Sequence, residues 1–140
     1  MTPTDVALVQ SSFRRIAPIA DQAAALFYAR LFELDPALRT IFRGNIQEEG
    51  HKLMSTLATA VALLEQMDTL LPAVRTLGAR LGGYGVFEEH YASVGAALLW
   101  TLQKGLGPEF TPAVCAAWTE TYTLLATTMI EAQRSAFVAA

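Results

Sequence analysis

Few side chains in this sequence can do chemistry, and their spacing narrows what that chemistry could be. The histidines are His51 and His90, and they stand at no spacing that a two-histidine metal site uses. Adjacent carboxylates occur at Glu48–Glu49 and again at Glu88–Glu89. Neighbouring residues on a helix diverge by about 100°, so neither pair can face one substrate as acid and base. No residue is therefore assigned a catalytic role. Cys115 is the single cysteine, which excludes an internal disulfide. Near a helix start it reads as a small core or interface residue. Glu49 lies four residues before Leu53 and shares its helical face, while His51, two residues from each, points about 200° away.

Helices have to position these groups, and the composition allows one domain to do it. The chain of 140 residues is 53% hydrophobic, enough for a single domain over 1–140 with a full core. Ten basic and 13 acidic residues give a net charge of −3 without a basic block. A surface that tracks phosphates is not written here, and nucleic acid is excluded as a partner. The opening MTPTDVALVQ lacks the basic-then-apolar build of a signal peptide. No apolar run reaches the roughly 18 residues that span a bilayer, so the expectation is a cytoplasmic protein with no membrane contact.

Proline and glycine punctuate the pattern. A first helix is expected from Thr4 to Arg15 and a second from Ile19 to Glu33, stopped before Pro36. LDPALRTIF predicts a short helix with Asp35 as N-cap, ending at Arg43–Gly44 before a turn at Gly44–Asn45. From Gln47 to Leu64 the residues Leu53, Leu57, Ala60, Val61 and Leu64 repeat at helical spacing, and Leu70, Val74, Leu77 and Leu81 do so in the next segment. Tyr91, Val94, Leu98 and Leu102 make a further stripe, closed by Gly105 and Gly107. Thr111 caps the last helix, whose stripe is Val114, Trp118, Tyr122, Leu125 and Met129. The fold class is all-α, with about seven helices.

The runs LFYARLFELDPALRTIF, HKLMSTLATAVALL, LGARLGGYGVFEEHYASVGAALL and LGPEFTPAVCAAW resemble, in order and spacing, the neuroglobin-like and single-domain bacterial globins. The resemblance implies a globin fold with helices around one pocket, haem b as cofactor, and binding of O₂, NO or CO. Position by position it implies that Phe42 wedges the haem, Tyr28 is the distal tyrosine, and Leu53 lies above the iron. It further implies that Lys52 reaches a propionate and that Val86, Tyr91 and Val94 wall the proximal side. The distal position, usually Gln or His, falls on Glu49. The proximal histidine falls on Leu81, 81 − 49 = 32 residues later, without a gap.

Leu81 is the departure with the largest consequence. The candidates left for the iron are Tyr28 as a phenolate and Glu49 as a carboxylate, either of which would be a non-standard axial ligand. Burying roughly 400 Å² of porphyrin at about 25 cal/mol/Å² contributes on the order of 10 kcal/mol. Losing free motion costs ~4–15 kcal/mol. Retention then turns on the axial group and the propionate contact. Tyr122 matches a tyrosine that flavohaemoglobins follow eleven residues later with a glutamate. Here that residue is Gln133, and NO dioxygenation by this chain alone is not supported. Gly82 and Gly83 are expected to loosen the helix end and let the Tyr84 segment move. Two functions follow. One is a haem protein with unusual ligation that handles or senses a small ligand, not an ordinary O₂ store. The other is a haem-free globin that docks a protein partner. Peroxidase-type chemistry would require bound haem.

Overall fold

The computed structural model describes residues 1–42, 44–83 and 85–139, the last three by backbone alone. Helix α1 covers Pro3–Ile16, α2 Ala20–Leu34, α3 Ile46–Ala62, α4 Met67–Gly83, α5 Tyr91–Leu106 and α6 Pro112–Ala139. Short 3₁₀ turns occupy Ala17–Ile19, Pro36–Thr40, Glu88–His90 and Gly107–Glu109, and the described residues contain no strand. Among the described residues six α-helices form where about seven are expected. The missing one is the LDPALRTIF segment, which closes only as a 3₁₀ turn. Asp35 stands at its N-cap with Pro36 behind it, as expected, but the carboxylate makes no capping bond and accepts instead from the Ser93 hydroxyl at 3.4 Å. Five residues without a side-chain cap are too short to nucleate an α-helix. The expected end at Arg43 and the Tyr84 segment lie outside the described residues.

Local chemistry sets the other boundaries. Thr2 and Asp5 form a reciprocal capping box that starts α1 one residue before the expected Thr4. Asn45 Oδ1 accepts from the amides of Gln47 and Glu48 at 2.9 and 3.4 Å, so the expected turn is the cap of α3. Thr111 caps α6 through the Val114 amide at 3.2 Å, as its position predicts. Gly107 ends α5 at φ +58°, where a Cβ would be strained.

Packing fixes where a pocket can open. α4 lies along α6, α2 is packed against α5 and α3, and α1 rests on α6. Helix α3 packs chiefly on α2 and also meets α1. A Cβ on Gly78 would sit 2.6 Å from the Cα of Met129, so the backbones of α4 and α6 touch there. The buried core forms two groups. The larger holds Val9, Ile16, Leu70, Leu102 and Trp118, and the smaller holds Phe27, Tyr28, Leu31, Leu38 and Ala97. Trp118 Nε1 donates to Ser12 Oγ at 2.8 Å, which keeps the buried indole N–H paired.

Candidate functional site

Between the two groups runs a seam of apolar side chains that neither group buries fully. Ile41, Phe42 and Leu98 touch both. Leu53 and Leu57 of α3, Leu77 and Leu81 of α4, and Val94 of α5 are half-buried at its sides. Leu57, Leu77 and Leu81 pack on the larger group and Leu53 and Val94 on the smaller, each left partly open. Tyr28 is buried, and Phe42, Leu53, Leu57, Leu81, Val94, Leu98 and Tyr122 are half-buried.

On the α2–α3 side the polar groups are oxygen donors. Tyr28 is 4% exposed, with its ring edge-on to Phe42 at 5.6 Å. Its hydroxyl donates to the Glu49 carbonyl over a long 3.4 Å. Burial, and then the Glu49 charge, push the Tyr28 phenol up to about 12. The Glu49 side chain is 32% exposed and stands 3.8 Å from Lys52 Nζ, while Lys52 extends into solvent. His51 is turned outward, as helix geometry requires, and pairs with Asp21 at 2.9 Å.

The side formed by α4, α5 and α6 is arranged differently. Leu81 packs on the larger core group, and its carbonyl accepts from the Val86 amide at 3.0 Å. Val86 and Tyr91 are buried. Gln133 Nε2 lies 3.0 Å from the Gly78 carbonyl, 2.9 Å from the Val86 carbonyl and 2.9 Å from the Tyr91 hydroxyl. The Tyr122 hydroxyl donates to the Tyr91 carbonyl at 2.6 Å. Burial raises the Tyr91 phenol, opposed by the Gln133 hydrogen bond. Burial also raises Tyr122, with a smaller contribution from Tyr91. His90 is no pocket ligand: its Nδ1 accepts from the Phe87 amide at 3.0 Å and caps the turn before α5. Among the described residues no group of three or more His, Cys, Asp or Glu could hold a metal ion.

Phe42 thus touches both groups, Tyr28, Leu53 and Val94 belong with the smaller one beside Glu49 and the exposed Lys52, and Leu81, Val86 and Tyr91 belong with the larger. Sequence reasoning missed the part played by Gln133. The signal was present, since eleven residues are close to three full turns and put Tyr122 and Gln133 on one face of α6. Helix α4 runs unbroken through Gly83, and the Cβ absent at 82 leaves room for the Gln133 side chain, whose Cγ would be 3.3 Å away.

Comparison with known proteins agrees with this architecture. A family model described as Globin matches residues 25–129. The chain is 29% identical over 143 aligned positions to Neuroglobin of Danio rerio, covering 92% of this chain and 90% of that protein. It is 30% identical over 143 positions to Flavohemoprotein of Bordetella parapertussis and, equally, of Bordetella bronchiseptica. Those matches cover all of this chain and 36% of each relative, so it spans about a third of their length.

Proposed function

This chain belongs to the globin family, and on that premise we propose that it binds haem in the seam between α3 and α4, with its axial donor on the α2–α3 side. The observation that carries the reading is the asymmetry of the seam: the Tyr28 hydroxyl and Glu49 lie together on one wall, and an apolar Leu81 stands on the other. The half-buried leucines suit a flat apolar plate, since burying them against porphyrin removes surface the helices leave open. The donor set suits ferric iron, which accepts carboxylate or phenolate oxygen. When bound, haem supplies an iron to which a small gaseous ligand such as O₂, NO or CO can add.

The residues divide the work by their chemistry. Tyr28 keeps its proton at neutral pH, because its phenol is pushed up to about 12, and so donates a hydrogen bond. Glu49, partly open and paired with Lys52 at 3.8 Å, would be the better oxygen to hold the iron. Lys52 is free to turn from Glu49 to a propionate. Phe42, Leu53 and Val94 exclude water from the plate. A protein ligated in this way handles or senses a ligand and is unsuited to ordinary O₂ storage. Peroxidase-type or NO-related chemistry is secondary and depends on the same bound haem.

A second reading is favoured by one observation: the wall around Leu81 has its polar groups paired without a metal. On it the chain is a haem-free module for a protein partner. Hemin titration followed by absorption and electron paramagnetic resonance separates the two. The wild-type protein is expected to take up hemin, and Glu49→Gln to weaken it about tenfold and change the spectrum. Uptake and spectra that do not respond to either Glu49→Gln or Tyr28→Phe would defeat the axial assignment. No uptake at all would leave the haem-free module.

A further inference from the structure

We infer that Gln133 is the positioning residue of the wall that carries Leu81, holding it from α6 in the way a metal–ligand bond would hold it. The inference rests on the reading of the seam as a cofactor pocket. Gln133 Nε2 is within 3.0 Å of three oxygens from three segments: Gly78 in α4, Val86 in the turn, and Tyr91 at the start of α5. Gly78 lies three residues before Leu81 and Val86 five after it, so Leu81 is held between two anchored carbonyls.

The carboxamide orientation is set by its surroundings. Exchanging its oxygen and nitrogen would set Oε1 against two carbonyl oxygens, which have no proton to give. The Val86 carbonyl lies beyond the end of α4, where the helix supplies no donor of its own. The missing side chain at Gly82 lets Gln133 pass, with Cγ 3.3 Å from where a Cβ would stand. The next residue, Arg134, grips Glu88 with 2.6 and 2.7 Å contacts, but that pair is exposed and adds little. Gln133 alone of the two reaches into the wall. A glutamate at this position would face two carbonyls as an acceptor, and only its protonated form could donate.

Amide hydrogen exchange of the haem-free protein tests this directly. In Gln133→Leu the protection of amides from 78 to 91 is expected to fall roughly tenfold, with α1 and α2 unchanged, because the part-buried contacts of Gln133 with Gly78, Val86 and Tyr91 are lost. Gln133→Glu should lose similar protection near neutral pH and regain part of it as the carboxyl is protonated. Arg134→Ala should leave the segment close to wild type. Unchanged protection in Gln133→Leu, or a loss spread evenly over all helices, would overturn the inference. Protection lost only in 78–91, in a wild-type protein that takes up no hemin, would uphold it while removing the cofactor reading on which its purpose rests.

Discussion

The two walls of the seam differ in how far their polar groups are already engaged. On the α2–α3 wall the Tyr28 hydroxyl holds one long bond of 3.4 Å, and Glu49 is partly open beside Lys52. On the α4–α6 wall, Tyr91, Tyr122 and Gln133 are tied into hydrogen bonds of 2.6 to 3.0 Å, and the residue facing the seam is a leucine. One wall can offer an oxygen to a ligand at little cost. The other would have to break a network first. The polar groups are loosely engaged on the first wall and tied together on the second.

The largest expected effect comes from moving a donor to the closed wall. Leu81→His places an imidazole between the two anchored carbonyls and should tighten hemin binding on the order of 100-fold, with a ferrous CO adduct typical of a histidine-ligated globin. The lost leucine costs roughly 2–3 kcal/mol of burial at most. Equal and negligible uptake by both proteins would mean that the seam is closed to porphyrin.

Packing should separate the walls next. A Cβ at Gly78 meets the backbone of Met129 at 2.6 Å, so Gly78→Ala should destabilise the fold by about 1–3 kcal/mol in denaturant unfolding. On the other wall a Cβ at Gly50 meets only the Ala24 methyl, at 2.9 Å. Gly50→Ala should cost less, and the reverse order would contradict a rigid α4–α6 wall.

The smallest effect is alkaline. The folded state holds the Tyr28 proton more tightly than the unfolded chain, whose phenol titrates near 10. Its contribution to stability is therefore complete below about pH 10 and lost as pH rises toward about 12. Tyr28→Phe should flatten part of the fall in the denaturation midpoint over that window. Tyr91 and Tyr122, also raised, should keep the remainder. A profile unaltered by Tyr28→Phe would place the titration wholly on the closed wall.

Much of this was legible along the chain. The 3.6-residue stripes ending at Leu81 and running through Val94 and Leu98 located the helices, and the prolines and glycines located most of their ends. The cap at Asn45 and the failure of Asp35 to cap were not legible. Both residues are good caps by type, and Ser93, 58 residues away, takes the Asp35 carboxylate. Along the chain Tyr122 and Gln133 stand eleven residues apart on one face of α6. In the fold Tyr122 bonds the Tyr91 carbonyl, and the Tyr91 hydroxyl meets Gln133.

The sequence by itself determined the inward faces, the absence of a donor at position 81, and the outward turn of His51, because these follow from the angle between residues on one helix. Tertiary structure alone decided that Gln133 reaches Tyr91, Val86 and Gly78, across 42, 47 and 55 residues. Periodicity fixes which face of a helix is buried. Which faces then meet, and how closely, depends on helix crossings such as the Gly78–Met129 contact, and the partners of a buried carboxamide are settled only there.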